Sequence, residues 1–253
     1  MDCRLSIDPP AAGAWNMAVD EVLLDWAARQ QGCWLRLYRW TPATLSLGYF
    51  QPDSDRAQHP PSLDCPVVRR LTGGGAILHD DELTYSLVIP AGHPLAVQRD
   101  RLYQAVHSAL AEALAELGVE ARLWPAAQPG APPEPFLCFQ RRAPGDLVVG
   151  GTKIVGSAQR RRRGAVLQHG SILLGRSPAA PELAGLSEIL GRPIDADAFS
   201  SLWLPRLAAR LQIAWREDSL TAAQRQQTEA IAMARYSNPS WTTRDTSPTR
   251  QRG

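Results

Sequence analysis

Two arginines, three glycines and a histidine fall within one short stretch of the chain, residues 69–80. Arg69 and Arg70 end an apolar strand pattern, and Gly73 to Gly75 follow almost directly. Consecutive glycines let the backbone adopt positive φ and bring its N–H groups close to a ligand. Such a turn can hold a phosphate or a developing oxyanion, and guanidinium groups suit carboxylate or phosphate. These residues alone equally fit a glycine-rich hairpin turn with charged flanks. The spacing excludes a Walker A loop and a dinucleotide fingerprint.

A second candidate for chemistry is Lys153, the only lysine in a chain that otherwise uses arginine. An ammonium group can lose its proton or act as a compact charge at a reacting centre, which a guanidinium cannot do. We therefore favour a functional role for Lys153 over a chance surface lysine. Cys138 precedes it, after a proline-rich loop. A nearby ammonium favours the nucleophilic thiolate, whereas an inert buried thiol is the equally weighted alternative.

Composition excludes some classes of function. The chain has 253 residues, and 27 basic against 25 acidic side chains leave a net charge of +2, which predicts no general affinity for nucleic acid. The basic block Arg160–Arg163 suits steering of acidic partners, or is a solvated turn. No secretory signal and no transmembrane-length apolar window is present. Four cysteines without Cys-x-x-Cys pairing predict a cytoplasmic protein with reduced thiols and no metal site.

Periodic patterns predict the elements that position these residues. Apolar residues at spacings of three and four predict helices over Gly13–Gln30 and Val97–Leu117. Asn16, Asp20 and His107 are expected on solvated or partly exposed helix faces. Strand patterns cover residues 33–40, 44–49, 66–68, 83–89, 121–124, 146–149, 152–158 and 165–174, with a turn over 160–164 and a loop over 125–135.

The domain prediction is a single catalytic domain over residues 1–235, with a core over 14–175 and C-terminal helices over 181–235. Within the latter, helical patterns cover 181–190, 196–212 and 219–234. The polar Ser-Thr-Arg-Pro composition predicts a disordered tail over 236–253, in which Trp241 is an isolated aromatic residue.

Several motifs together resemble the lipoate–protein ligase and octanoyltransferase family, in the right order and spacing. The matching stretches are Arg69–Asp80, Gly151–Gln159, Leu167–Leu174, Asn16–Glu21, Tyr38–Trp40 and Ser46–Gln51. The resemblance implies an α+β fold in which mixed β-sheets pack with helices, the biotin/lipoate ligase catalytic-domain fold. It also implies a tunnel for a medium-length acyl chain, with Lys153 near the acyl carbonyl. The substrate-binding residues that it implies are Arg69, Arg70, Gly73, Gly74, Gly75, His79, Gly156, Ser157, Ala158, His169 and Gly170.

Two chemistries occur in this family. A ligase activates free lipoate with ATP and Mg and needs no cysteine, whereas a transferase moves octanoyl from an acyl-carrier thioester to its own cysteine. Cys138 resembles the nucleophile of the transferase branch whose cysteine lies upstream of the lysine strand, although residues 140–145 match that branch only loosely. We therefore predict an octanoyltransferase with catalytic Cys138 and Lys153 and no cofactor. The alternatives are an ATP-dependent lipoate–protein ligase, a lipoyl-domain amidotransferase, and a non-catalytic protein that binds lipoyl domains or acyl chains.

The partners follow from the resemblance. The donor would be acyl carrier protein, and the acceptors would be lipoyl-domain proteins, namely the glycine cleavage H protein and the E2 subunits of 2-oxoacid dehydrogenases. We expect a cytoplasmic monomer without nucleic-acid or membrane partners.

Overall fold

The computed structural model of the protein describes residues 1–30, 32–125 and 135–244. In these ranges the strands are β1 (Asp2–Ile7), β2 (Cys33–Tyr38), β3 (Thr44–Leu47), β4 (Val67–Arg69), β5 (Ile77–His79), β6 (Glu82–Ile89), β7 (Arg122–Leu123), β8 (Leu147–Val149), β9 (Thr152–Arg162), β10 (Ala165–Leu173) and β11 (Ala214–Glu217). The helices are α1 (Gly13–Gln30), α2 (Pro94–Val97), α3 (Arg99–Glu116), α4 (Leu186–Leu190), α5 (Ala196–Leu211), α6 (Ala222–Ile231) and α7 (Pro239–Thr242). A π-turn (Ala232–Tyr236) continues α6.

The described strands form two sheets. The large sheet has eight strands in the order β11-β1-β2-β6-β10-β9-β8-β7, and the small sheet has three in the order β4-β3-β5. β1 is parallel to both β11 and β2, whereas the neighbours from β2 to β7 are antiparallel. The predicted α+β fold with mixed sheets is therefore confirmed.

Helices cover the large sheet on both faces. Leu35 and Leu87 share one core cluster with α3 and α5, while their neighbours Trp34 and Val88 share another with α1. Successive side chains of a strand point to opposite faces, so burial of both faces requires nearly continuous apolar strands. These two apolar clusters bury both faces of the large sheet.

Three polar residues that we expected on exposed helix faces are buried. Asn16 and Asp20 of α1 and His107 of α3 are each at most 2% exposed. Asn16 donates to the carbonyls of Ala11 and Arg39, both at 3.1 Å. The prediction was wrong because periodicity shows which side of a helix is apolar, but not whether another segment covers its polar side.

The hairpin of β9 and β10 is longer than predicted. The pairing continues to Arg162 and Ala165, so Arg160 to Arg162 are strand residues rather than a turn. The turn consists of Arg163 and Gly164, with φ of 50° and 82°, as a tight two-residue connection between twisted strands requires. β5 and β11 were not predicted, because β5 lies in the stretch that we interpreted as a ligand loop and β11 in a region that we interpreted as helical.

The predicted disordered tail is wrong over residues 236–244. Tyr236 ends the π-turn, and α7 packs on β4. Trp241 donates to the carbonyl of Arg69 at 2.9 Å, and the Arg69 guanidinium donates to the carbonyls of Trp241 and Thr242. The order of this segment could not be predicted from its composition, because the residue that Trp241 contacts, Arg69, lies 172 positions away. Residues 245–253 lie outside the described ranges, as does most of the loop predicted over 125–135.

The expectation that all four thiols are reduced is wrong. Cys3 and Cys33, opposite each other on β1 and β2, form a disulfide. Cys65 and Cys138 are free. None of the helices in the described ranges is long and apolar enough to cross a membrane.

Candidate active site

A pocket lies between the two sheets and α1, and it encloses about 450 Å³ of space, part of it open to solvent. We call it the acyl pocket, after the acyl chain that the sequence resemblance leads us to expect there. Its lining residues come from α1, from both sheets and from the loop that carries Cys138: Met17, Tyr38, Trp40, Arg70, Gly73, Gly74, Ile77, His79, Thr84, Cys138, Gly156, Ser157, Ala158, His169, Gly170 and Ser171. Most residues that the sequence selected therefore meet at one cavity.

Cys138 and Lys153 meet at the wall of the acyl pocket. The ammonium Nζ of Lys153 lies 3.4 Å from the Sγ of Cys138 and 3.3 Å from its carbonyl oxygen. Lys153 is 4% exposed, so its charge acts in a largely water-free environment, where electrostatic interactions are strong. This geometry can stabilise a thiolate and exchange a proton with a group bound to the sulfur.

Backbone pairing fixes the position of Cys138. Its N–H donates to the carbonyl of Ala76 at 2.7 Å, and the N–H of Ala76 donates to the carbonyl of Phe136 at 3.1 Å. Ala76 directly follows the three glycines, so the glycine run and the cysteine segment are joined although 62 residues apart in number. Cys138 then begins a 3₁₀ turn.

The lysine reaches the thiol because β9 is irregular and contains a glycine. The pairing of β8 with β9 shifts register between Leu147 and Val148, as at a bulge that redirects a side chain. A Cβ at Gly156 would lie 2.5 Å from Cε of Lys153. Gly156 is therefore needed so that the lysine side chain can pass along the strand toward Cys138.

Asp146 holds Lys153 from the other side. Its Oδ2 lies 2.8 Å from Nζ of Lys153, and both side chains are almost fully buried. The same carboxylate accepts hydrogen bonds from the hydroxyl of Tyr103 at 3.0 Å and from the N–H of Ala143 at 2.7 Å. Asp146 was not predicted as a site residue, since only the fold brings the residue before β8 next to Lys153.

Arg70 shapes the glycine loop from inside the protein. It donates to the carbonyls of Gly73, Gly75 and Ser46 at 2.7 to 2.9 Å. Burial lowers the pKa of the Arg70 guanidinium to about 10, an effect opposed by the nearby Cys138, and it stays charged at neutral pH. Because these carbonyl groups point toward Arg70, the N–H groups of the loop point away from it.

Of the three glycines, Gly74 is the one whose backbone conformation favours glycine. Gly74 alone of the three has a positive φ, 94°, and its carbonyl lies against Gly48, where any Cβ would collide with it. A Cβ at Gly75 would meet only the end of the Arg141 side chain, which is flexible enough to shift. No hydrogen bond between described residues uses the N–H groups of Gly73 to Gly75, so these amides can serve a ligand.

Two histidines of the pocket are held by carboxylates. His79 Nδ1 lies 2.7 Å from Oε1 of Glu82, and its ring stacks on Trp40 with 3.9 Å between ring centroids. Burial lowers the pKa of His79, with Glu82 acting in the opposite direction. His169 Nδ1 lies 3.0 Å from Oδ2 of Asp20, and its Nε2 lies 2.6 Å from the hydroxyl of Thr72.

Ser157 is held by a neutral histidine. Its Oγ lies 2.6 Å from both the hydroxyl of Tyr85 and Nε2 of His107. Burial lowers the pKa of His107 to about 4, so the imidazole is neutral at pH 7. With Nδ1–H donating to the carbonyl of Gly145 at 2.7 Å, Nε2 accepts from Ser157. A Cβ at Gly170 would collide with Ser157, which explains the glycine on the neighbouring strand.

Three predicted residues do not line the acyl pocket. Lys153 lies behind Cys138, and Gly75 packs against Arg141. Arg69 points away from the pocket and donates to the carbonyls of Gly48, Gln51 and Thr242. Residues that sequence reasoning missed include Asp20, Tyr85, Tyr103, His107 and Asp146. Their position within otherwise apolar patterns indicated that these polar residues could be buried, but the sequence does not show which residues they contact.

Comparison with known proteins identifies the family. Residues 12–193 match the family model of the lipoyl protein ligase A/B catalytic domain. The chain belongs to this family. The resemblance found in the sequence is thereby confirmed.

Several relatives within the family are octanoyltransferases. The octanoyltransferase LipM of Kyrpidia tusciae is 33% identical over 267 residues, which cover 94% of this chain and 97% of that protein. The octanoyltransferase LipM of Oceanobacillus iheyensis is 43% identical over 171 residues, 65% of this chain and 61% of that protein. Among solved structures, protein Ta0514 of T. acidophilum with bound lipoic acid superposes with a TM-score of 0.78 over 96% of this chain and 99% of that chain. At 23% identity this last likeness shows the shared fold.

Proposed function

We propose that this protein is an octanoyltransferase of protein lipoylation that carries the octanoyl group as a thioester on Cys138. Octanoyl transfer is supported by octanoyltransferase relatives within the family that match nearly the whole chain. The observation that supports the covalent step is a free thiol at the wall of the acyl pocket, 3.4 Å from the only lysine ammonium of the chain.

The proposed reaction has two balanced halves. The Cys138 thiolate attacks the donor's thioester carbon, and the departing donor sulfur takes the proton of Lys153 and leaves as a thiol. The neutral amine of the acceptor lysine then attacks the Cys138 thioester and gives a proton to Lys153, while Cys138 leaves as a thiolate. The amide is formed, and the starting ammonium and thiolate are restored.

The surrounding groups support each half. The unused amides of Gly73 and Gly74 line the pocket and suit the oxyanion that forms on the thioester carbonyl. Asp146 balances the Lys153 charge and orients its ammonium. In this scheme the donor is acyl carrier protein and the acceptors are lipoyl domains such as those of the H protein and of E2 subunits. The chemistry requires neither a metal nor an organic cofactor.

Intact-protein mass spectrometry with octanoyl-acyl carrier protein, without ATP, tests the covalent step. We expect one hydroxylamine-labile octanoyl adduct on the native protein and on Cys65→Ala, which removes the other free thiol, and none on Cys138→Ala. An adduct that persists in Cys138→Ala contradicts the assignment. If no adduct forms, and a lipoyl domain is modified only with free lipoate and ATP, the protein is a ligase.

Variants of the lysine and its partner test the proton transfer. We expect Lys153→Met to slow adduct formation by about 10²- to 10⁴-fold, the usual contribution of a positioned acid–base group. Asp146→Asn keeps the size of the side chain but leaves the buried ammonium without its counter-charge, and we expect a loss of about tenfold or more. The pH profile of Cys138 alkylation should change in both variants, which a purely structural role of Asp146 would not produce.

A further inference from the structure

A second groove runs from the acyl pocket to the surface, and we call it the outer groove. It shares Gly73, Gly74, Ser157 and Ala158 with the acyl pocket, and it continues along β9 to Arg160. Cys138 lines the acyl pocket but not the outer groove. A ligand that lies in the outer groove therefore approaches the thiol across the glycine loop.

At the end of the outer groove that Arg160 lines, two arginines lie against one aromatic ring. The Cζ atoms of Arg160 and Arg244 lie 4.9 and 4.0 Å from the ring centroid of Tyr49. Arg244 also lies 3.7 Å from the ring centroid of Trp241. The aromatic ring attracts both guanidiniums, so two like charges lie against the same tyrosine.

No carboxylate of a described residue neutralises either of these two charges. Within the described residues, no carboxylate lies within ion-pair distance of Arg160 or Arg244, and the Nε atom of each is buried without a hydrogen-bond partner. Arg162 of β9 differs, because it pairs with Glu21 and Asp25. Arg161 and Arg244 each donate to a backbone carbonyl, of Val97 at 2.9 Å and of Tyr49 at 3.3 Å, which leaves their charges in place. The site at Tyr49 therefore offers excess positive charge to an anion.

We propose that Arg160 and Arg244 bind the phosphate of the pantetheine arm that presents the octanoyl thioester, with the arm lying in the outer groove. This inference rests on the proposed transfer from a carrier thioester. Apart from its phosphate, such an arm is a narrow, uncharged chain with amide groups, and its thiol end is remote from the phosphate. The groove matches this order, with cations at its outer end and Cys138 beyond its inner end.

Calorimetric titration with 4′-phosphopantetheine and with pantetheine tests the site without acyl transfer. We expect the native protein to bind the phosphorylated compound on the order of tenfold more tightly, with an advantage that falls as salt rises. Arg160→Gln and Arg244→Gln should each remove most of this advantage, and Arg160→Lys should retain part of it. Arg161→Gln removes the same charge from the next residue and should keep the full advantage.

A variant that is expected to raise the preference for the phosphorylated compound provides a second test. Asp100 also lines the outer groove, so Asp100→Asn removes a negative charge that opposes the phosphate. We expect its preference for the phosphorylated compound to rise by about two- to threefold, the size of a partly exposed charge interaction.

Several results would overturn the proposal. Equal affinities of the native protein for the two compounds would do so, as would a phosphate preference that survives in the Arg160→Gln/Arg244→Gln double variant. AMP shares the phosphate chemistry, and Arg160-dependent binding of AMP without any phosphopantetheine preference would assign the site to a nucleotide instead. Because these titrations do not involve Cys138 chemistry, a missing octanoyl adduct contradicts the proposed function separately. Thermal melting of each variant shows that it is folded, and if Arg244→Gln fails this check, the Arg160→Gln and Arg160→Lys pair decides.

Discussion

Arg69 and Arg70 are consecutive, of the same type and nearly fully buried, yet they serve different regions of the molecule. Arg70 donates to carbonyls of the glycine loop and of β3, beside the acyl pocket. Arg69 donates to carbonyls of Gly48 and Gln51 and of the C-terminal segment. Successive side chains of an extended chain point to opposite sides, so one motif contains both a residue of the site and a residue of the frame.

The two regions also differ in how far their contacts reach along the chain. Arg70 binds residues within five positions and within β3, 24 positions away. Arg69 also binds the carbonyls of Trp241 and Thr242, which lie 172 and 173 positions away. A motif built from neighbouring residues can reveal the first kind of contact, but it contains no information about the second.

The largest expected effect is that of Arg70→Gln. The shorter, uncharged side chain leaves the carbonyls of Gly73 and Gly75 without their donor, which costs about 3 kcal/mol of unfolding free energy or more. We also expect the glycine loop to move, and a displacement of about 1 Å at a reacting site can cost on the order of a hundredfold in rate. Measurement of Cys138 octanoylation in the folded protein checks this. A rate within threefold of the native one would show that Arg70 does not shape the site.

Arg69→Gln should affect the frame and largely spare the chemistry. It removes donors from carbonyls in two distant segments, and we expect a loss of about 2 to 3 kcal/mol in unfolding free energy. Proteolysis should become faster near Trp241, because the segment that contains it loses its attachment. With octanoyl-pantetheine as the donor, octanoylation of the folded fraction should stay within about threefold of native, as independent sites behave. A hundredfold loss of the octanoylation rate with an unchanged unfolding free energy would show that Arg69, like Arg70, acts in the site.

The smallest expected effect is a pH dependence of the unfolding free energy, and it concerns the pocket region. His79 and His107 lie in that region, whereas no described partner of Arg69 is a histidine. Burial lowers the pKa of His107 to about 4 in the folded protein, against about 6.5 in an unfolded chain. The unfolded state therefore binds the proton first, and stability present above pH 6.5 is lost as the pH falls toward 4. From this group we expect a loss of about 1 kcal/mol between about pH 7 and pH 5.5, while the shift of His79 acts in the same direction.

Chemical denaturation of the native protein and of His107→Gln across this pH range measures the effect. The variant should show a flatter stability profile, and Arg69→Gln should keep the native slope. Parallel profiles for native protein and His107→Gln would show that His107 is not the group responsible.

Much of the fold could be predicted because its signals are local. The bounds of α1 and the positions of β2, β6 and β10 follow apolar periodicity over six or more residues. Burial of Asn16, Asp20 and His107 could not be predicted in this way, since it depends on segments that cover them from elsewhere in the chain. The ordered residues 236–244 escaped prediction for the same reason, because their polar composition hides a partner in β4.

The sequence by itself determined the family and the pairing of a lone lysine with an upstream cysteine as the candidates for chemistry. Only the tertiary structure decided that Nζ of Lys153 lies 3.4 Å from the Cys138 sulfur, that Asp146 holds this ammonium, and that Arg69 faces away from the pocket. The physical reason is that residue types and short-range spacing are written in the chain, whereas side-chain direction and distance depend on register, on a bulge in β9 and on contacts between remote segments.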